Sequence, residues 1–267
     1  MNEKNVQYLK DQLKYTGFGE TFDAELRENI QKGDKDFKLM HTGIMNNGVP
    51  NKDTVTVKLN FKKSDQSDMY FFNSYQVNLQ KEDNKPGLEQ TFYINNDNTS
   101  ITLKEAYNLM EGRSVNKDLK NKDGEAYNCW IRMDFKESDD RGNFKLQHYH
   151  QNYGYDLEAS LEKHSIKELL TPQYKEDLMN SLKKGNLQSV TFVVGGEERK
   201  QFVEANPQFK TIKVYDSSLQ RINDRESKTE KQSQSKGKSA DLADSADETS
   251  QKEKKSNSRS KKAGRSV

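Results

Sequence analysis

The sequence predicts an α+β fold in which a helix–β-hairpin unit recurs in tandem, forms antiparallel sheets and is followed by a disordered C-terminal tail. Residues 61–65 and 135–139 read Phe-Lys-Lys-Ser-Asp and Phe-Lys-Glu-Ser-Asp, and the same offset aligns further apolar positions. Three short amphipathic helices each end at a glycine, three residues after an aliphatic side chain, and alternating strands follow. Stacked copies of such a unit share a core that no copy buries alone.

Repeat one covers residues 23–80 and follows an N-terminal helix and linker in residues 1–22. Residues 54–61 alternate between apolar and polar side chains, which is typical of a half-buried strand. The predicted elements are a helix over 6–15, a helix over 23–31 ended by Gly33, a turn over 46–50, and strands over 36–41, 54–61 and 69–79.

Repeat two covers residues 101–170 and follows a polar connector over 81–100 that includes a short extended piece, 90–94. Thr102, with Glu105 three residues later, predicts a capping box at the start of a helix. Asp123-Gly124 predicts a hairpin turn, because glycine tolerates a positive φ. The predicted elements are helices over 103–111, 157–164 and 166–170 and strands over 114–119, 127–135 and 144–149.

Repeat three covers residues 171–222, and the tail covers residues 223–267. Repeat three predicts a helix over 173–183 and strands over 189–194, 199–204 and 210–215. The tail contains no aromatic residue and only two large aliphatic residues. Such a composition buries too little apolar surface to offset chain entropy, so we expect disorder.

Charge is divided unevenly along the chain. The whole molecule carries +2, whereas the tail has twelve basic and eight acidic residues, so the tail carries +4 and the remainder −2. Electrostatic attraction to nucleic acid is therefore expected from the tail rather than from the body, with a merely solubilising tail as an equal alternative. The basic residues at the end of the tail are Lys252, Lys254, Lys255, Arg259, Lys261, Lys262 and Arg265.

Cellular location is predicted from cysteine content and hydropathy. The single Cys129 excludes an intramolecular disulfide, and its apolar neighbours predict a core position. No signal peptide is evident, and no stretch approaches the ~20 apolar residues of a membrane span. A cytoplasmic protein without a membrane partner or an evident small-molecule substrate is expected.

One group of residues is a candidate binding surface because aromatic side chains on a sheet can stack on unpaired bases. Trp130 and Arg132 are predicted on the same face of their strand, opposite Cys129. An exposed Trp130 suits a contact with nucleic acid or protein, whereas stacked repeats would bury it. The candidates are Trp130, Arg132, Tyr149, His150, Tyr153 and Tyr155.

A second candidate is the run His148-Tyr149-His150. Residues two apart on a strand point the same way, so both imidazoles can face one metal ion. This run resembles metal-dependent rolling-circle nicking enzymes, in which a tyrosine attacks DNA, and Tyr153 and Tyr155 lie nearby. No third ligand is identified, and polar strand residues remain the favoured interpretation, so no metal or other cofactor is predicted.

Residues 101–222 resemble an uncharacterised family, the domain of unknown function 3945, found in conjugative and other mobile elements of gut anaerobes. The resemblance lies in residues 109–119 (LMEGRSVNKDL), 150–157 (HQNYGYDL) and 203–210 (VEANPQFK). Members commonly occur among mobilisation and topoisomerase-like sequences, which implies DNA-transfer biology by association. The family provides no catalytic residues.

Three hypotheses for function follow. The first is a non-enzymatic accessory protein of a mobile element that binds a protein partner or nucleic acid. The second is a metal-dependent DNA nicking or processing enzyme that uses His148 and His150. The third is a purely structural assembly module.

Overall fold

The computed structural model describes residues 1–45, 53–82, 86–95 and 99–222. These residues contain five α-helices and eleven β-strands, and the strands form three antiparallel sheets. The predicted α+β class with antiparallel sheets is therefore confirmed. The predicted turn over 46–50 and the predicted disordered tail lie outside the described residues.

The first sheet is a four-stranded meander preceded by two helices. The side chain of Asn2 accepts a hydrogen bond from the backbone N–H of Asn5 and caps the first helix. The strands follow the order β1-β2-β3-β4, and β2 alternates buried with half-buried side chains over most of its length. The elements are α1 Glu3–Tyr15, α2 Asp23–Lys32, β1 Asp36–Ile44, β2 Thr54–Lys63, β3 Tyr70–Gln80 and β4 Leu88–Tyr93.

The middle sheet has three strands in the order β5-β6-β7. The predicted capping box forms at its helix, because the Thr102 side chain accepts from the N–H of Glu105 and the Glu105 carboxylate accepts from the N–H of Thr102. The elements are α3 Leu103–Met110, β5 Val115–Lys120, β6 Ala126–Ser138, β7 Phe144–His150, a 3-10 helix Gln151–Tyr153, α4 Leu157–Glu162 and a 3-10 helix Lys167–Leu170.

The last sheet has four strands in the order β11-β10-β9-β8. Its helix starts with Pro172, whose fixed φ suits the first helical position. The elements are α5 Pro172–Lys183, β8 Gln188–Val194, β9 Glu197–Asn206, a 3-10 helix Pro207–Phe209, β10 Thr211–Tyr215 and β11 Arg221–Ile222.

A left-handed glycine follows α2, α3 and α5. The φ angles of Gly33, Gly112 and Gly185 are 79°, 78° and 78°, a conformation that costs other residues energy. Gly185 is also closely packed, since a Cβ atom there would lie 2.9 Å from Cγ2 of Val115. The side chain of Asn108 donates to the carbonyl of the residue before Gly185 at 2.7 Å. The end of α5 is thereby held against α3 and β5.

The described residues belong to one compact unit with two hydrophobic clusters. The large core contains side chains from α1 to α3, the first sheet and one face of the middle sheet. The small core contains side chains from α4, α5 and the last sheet. Trp130 of β6 is buried in the small core, whereas its neighbours Cys129 and Ile131 are buried in the large core. The middle sheet therefore has apolar contacts on both faces.

Strand β4 lies in the chain segment that the sequence predicts as a connector, and it is a full member of the first sheet. Its buried Gln90 donates from Nε2 to the carbonyl of Phe144 at 3.3 Å, and its Oε1 accepts from the N–H of Phe144 at 2.8 Å. The N–H of Thr91 donates to Oδ1 of Asn143 at 2.9 Å. The β6–β7 turn thus closes the outer edge of β4.

Across the ranges that the structure describes, no helix combines the length and the apolar character needed to cross a bilayer.

Candidate functional site

The candidate residues Trp130 and Tyr155 lie between the middle and last sheets. Trp130 is only 6% exposed, so of the two alternatives the buried one is correct and Trp130 is not an exposed stacking residue. Its ring meets that of Tyr155 edge to face, with 5.3 Å between the centroids. The Tyr155 hydroxyl donates to the carbonyl of Thr211 at 3.0 Å, and burial raises the pKa of this phenol. The small core covers this face of β6, which a reading of single strands does not reveal.

Tyr149 and Tyr153 reach further towards solvent. Their rings lie edge to face with 5.2 Å between the centroids, and Tyr153 is 39% exposed. The Tyr149 hydroxyl donates to Oε1 of Gln147, and the Tyr153 hydroxyl donates to the carbonyl of Gln208, both at 2.8 Å. Burial raises the pKa of Tyr149, an effect that the nearby Arg132 opposes. Both hydroxyl groups therefore act as internal donors that orient the rings.

The loop after β9 adds two residues that the sequence analysis did not single out. Phe209 is 67% exposed, and Nζ of Lys210 lies 4.7 Å from the centroid of the Tyr153 ring. Lys210 has a φ of 52°, so the chain turns sharply directly after the 3-10 helix that ends at Phe209. We call Tyr149, Tyr153, Phe209 and Lys210 the aromatic patch.

Arg132 of β6 connects the middle sheet to the loop after β9. Its Nε donates to the carbonyl of Gly112 at 3.3 Å, and its Nη1 donates to Oε1 of Gln208. Gln208 therefore accepts one hydrogen bond from Arg132 at its side-chain oxygen and one from Tyr153 at its backbone carbonyl. The guanidinium group is half-buried and supplies a fixed positive charge behind the patch.

The three segments that carry the family resemblance meet at these contacts. Residues 109–119 contribute Gly112, residues 150–157 contribute Tyr153, and residues 203–210 contribute Gln208. Tyr153 and Gln208 are separated by 55 positions in the chain. Spacing within one strand gives no sign of this contact. The only sequence signal for Phe209 and Lys210 is that they belong to residues 203–210, the third resembling segment.

His148 and His150 lie on the other face of β7. Their cross-strand partners on β6 are Ile131 and Cys129, which share this face. Both side chains are exposed, and the ring centroids are 6.4 Å apart with 28° between the planes. Nδ1 of His148 lies 3.1 Å from the carbonyl oxygen of Leu146. Although the His148 side chain is exposed, partial burial lowers the pKa of its imidazole.

The nicking-enzyme hypothesis needs a third ligand and a free tyrosine close to the two histidines. In the parts of the chain that the structure describes, no group of three His, Cys, Asp or Glu side chains is placed to hold a metal ion. The ring nearest to His150 is that of Tyr127, at 5.2 Å, rather than Tyr153 or Tyr155. Cys129 is buried, and burial raises the pKa of its thiol, which disfavours the reactive thiolate.

The proposed electrostatic residues of the tail, Lys252, Lys254, Lys255, Arg259, Lys261, Lys262 and Arg265, lie outside the described residues.

No family model, no curated protein and no solved structure matches this chain. The resemblance of residues 101–222 to a mobile-element family therefore stays a prediction.

Proposed function

We propose that this chain is a non-enzymatic accessory protein of a conjugative or other mobile element and that its aromatic patch binds single-stranded nucleic acid. The observation that carries the proposal is the exposure of Tyr153 and Phe209 beside Lys210. The mobile-element setting rests on the family resemblance alone.

Stacking and charge give the patch two of the interactions that single-strand binders use. Aromatic side chains stack on bases of any sequence, and each such contact contributes about 1–3 kcal/mol. Lys210 supplies a positive charge for the phosphate backbone, and the half-buried Arg132 adds a second charge behind the patch. Since the Tyr153 hydroxyl donates a hydrogen bond to the backbone carbonyl of Gln208, the Tyr153 ring is held in one orientation. This role needs no cofactor and no nucleophile.

We further propose that the three sheets descend from one helix–hairpin building block. The matching glycines after α2, α3 and α5 support this, as does the antiparallel meander after each of them. The copies differ in strand number, since the first and last sheets have four strands and the middle sheet has three. Their bulges also differ, at Asn60/Phe61 in β2 and between Asp134 and Ser138 in β6.

The test is a fluorescence-anisotropy titration with labelled single-stranded and double-stranded DNA. The full chain and a chain truncated after Ile222 are titrated at two salt concentrations. If Lys210 neutralises one phosphate, the truncated chain should show a slope of log K against log salt of about −0.7. The full chain should give a steeper slope, because the tail adds basic residues.

The decisive variants are Phe209→Ala and Lys210→Asn. Phe209→Ala should weaken single-strand binding by about 5- to 150-fold, the equivalent of one lost stacking contact. Asparagine at 210 removes the charge and still accepts a positive φ. Tyr174→Ala is the matched control, because Tyr174 is also an exposed aromatic residue, at 61%, and it should bind like the wild type.

Equal binding by Phe209→Ala and Tyr174→Ala would refute a stacking role for the patch. Binding that disappears with the tail would reduce the interaction to electrostatic tethering. No DNA binding by either chain would leave the exposed aromatic residues as a surface for a protein partner.

A further inference from the structure

The histidine pair on β7 has features that the proposed function does not use. β7 is an edge strand of the middle sheet, and His148 and His150 project from the same face of it. Both rings are exposed and lie side by side, at 6.4 Å between centroids. They face away from Trp130 and the aromatic patch, since cross-strand partners share a face and Tyr149 pairs with Trp130.

The hydrogen bond of His148 fixes which ring nitrogen is free. A carbonyl oxygen only accepts, so the contact of Nδ1 with the Leu146 carbonyl at 3.1 Å requires the proton on Nδ1. In the neutral ring the lone pair then lies on Nε2, at the opposite side. Histidines that bind metals usually donate their other ring N–H to a backbone carbonyl or a carboxylate in this way.

We propose that His148 and His150 form a two-histidine chelate for a borderline divalent transition-metal ion, with Cu²⁺ bound most tightly and water completing the coordination. Imidazole nitrogen suits Zn²⁺, Ni²⁺ and Cu²⁺, and affinity along the first-row series peaks at Cu²⁺. Nε2 of His148 is one ligand, and a ring nitrogen of His150 is the other.

The geometry permits this with a small movement of exposed groups. Each nitrogen would lie about 2.0–2.1 Å from the ion, so the two nitrogen atoms must approach more closely than the ring centroids do. Both rings are exposed and can tilt towards each other. His148 can tilt while keeping its bond to Leu146, and His150 contacts only the ring of Tyr127 and that of His148 among the ring contacts of the described residues.

Within the described ranges of the chain, the site has two protein ligands. The nearest thiol by strand pairing, that of Cys129 opposite His150, is buried in the large core. The remaining positions of the ion are therefore open to water or to a ligand from another molecule. No reaction at the ion is proposed, and failure of this proposal leaves the aromatic patch unaffected.

The test uses the tag-free full chain, titrated with CuCl₂, NiCl₂ and ZnCl₂ by calorimetry, with electron paramagnetic resonance of the Cu²⁺ sample. We expect one Cu²⁺ per chain, coordinated by two imidazole nitrogens, with weaker binding of Ni²⁺ and Zn²⁺. His148→Gln and His150→Gln should each weaken Cu²⁺ binding by about tenfold or more. His164→Gln, which changes a histidine outside the pair, should bind like the wild type.

Cu²⁺ binding that is the same in His148→Gln, His150→Gln and His164→Gln would overturn the proposal, and so would resonance from a single nitrogen. Circular dichroism in the presence of EDTA checks that the variants are folded, which is expected because both rings are exposed. Nitrogen-15 NMR of the metal-free protein should show the Nδ1-protonated form of His148. An Nε2-protonated form would overturn the assignment of the ligand atom.

Discussion

Replacing Trp130 with alanine tests how much one buried side chain contributes to holding the last sheet on the middle sheet. Trp130 is 6% exposed and contacts the small core, where its ring meets that of Tyr155. Burial of about 150–250 Å² of aromatic surface corresponds to about 4–6 kcal/mol. Large aromatic residues replaced by alanine in cores cost about 3–5 kcal/mol. We therefore expect the free energy of unfolding to fall by about 4 kcal/mol.

The measurement is urea unfolding followed by far-ultraviolet circular dichroism. Tryptophan fluorescence cannot serve for the variant, because Trp130 is the only tryptophan in the chain. Hydrogen exchange then locates the effect. Backbone amides of β8, β9 and β10 should exchange faster in Trp130→Ala, while those of β2 and β3 should keep most of their protection, because their side chains lie in the large core.

Met133→Ala provides the matched control. Met133 lies on the same strand, is 3% exposed and belongs to the large core. Its loss should cost about 2–5 kcal/mol and should loosen β2 and β3 rather than the last sheet. A cost below about 1 kcal/mol for Trp130→Ala, or equal loosening of the first and last sheets by both variants, would refute the two-core interpretation.

Three further predictions concern local features of the fold. Gly185→Ala should destabilise the protein more than Gly124→Ala, because both glycines have a positive φ but only Gly185 is closely packed; equal shifts in the urea midpoint would contradict this. Thr102→Ala should cost about 1 kcal/mol, whereas Thr171→Ala should cost little, because the Thr171 side chain makes no capping hydrogen bond; similar thermal shifts would remove the capping box as the cause. Burial raises the pKa of Tyr75, so the folded state holds this proton more tightly than the unfolded state, and the resulting stability is lost as the pH rises above about 10. The urea midpoint of the wild type should thus fall more steeply in alkali than that of Tyr75→Phe, and parallel curves would contradict the assignment.

Local signals in the sequence were sufficient for most elements of the fold. Thr102 and Glu105 form the capping box that their spacing predicts, because both partners lie within one helical turn. Gly33, Gly112 and Gly185 end three helices, because glycine reaches the left-handed conformation without strain. Strand β4 was harder to assign to a sheet, since its six residues include the polar Gln90, whose burial depends on a distant hairpin.

The candidate site was predicted only in part, because its contacts join distant segments. Alternation correctly places Trp130 and Arg132 on one face, but the helices and strands that cover Trp130 come from residues 157–214. Arg132 contacts Gln208 across 76 positions, so no local spacing shows that the loop with Phe209 and Lys210 meets β6. Which of two strand faces is buried depends on the packing of sheets, whereas a local pattern shows only that the two faces differ.

The edge of β4 has a consequence for self-association. An open strand edge offers unpaired N–H and C=O groups to strands of other molecules, which is a common route to aggregation. Beside this edge the carboxamide of Gln90 donates to the carbonyl of Phe144 and accepts from its N–H, so it holds the β6–β7 turn against β4. Asn143 occupies the next N–H, that of Thr91. The Asn143 side chain therefore occupies an N–H that a foreign strand would use, and Gln90 keeps the turn that carries Asn143 in front of the edge, without lengthening the sheet.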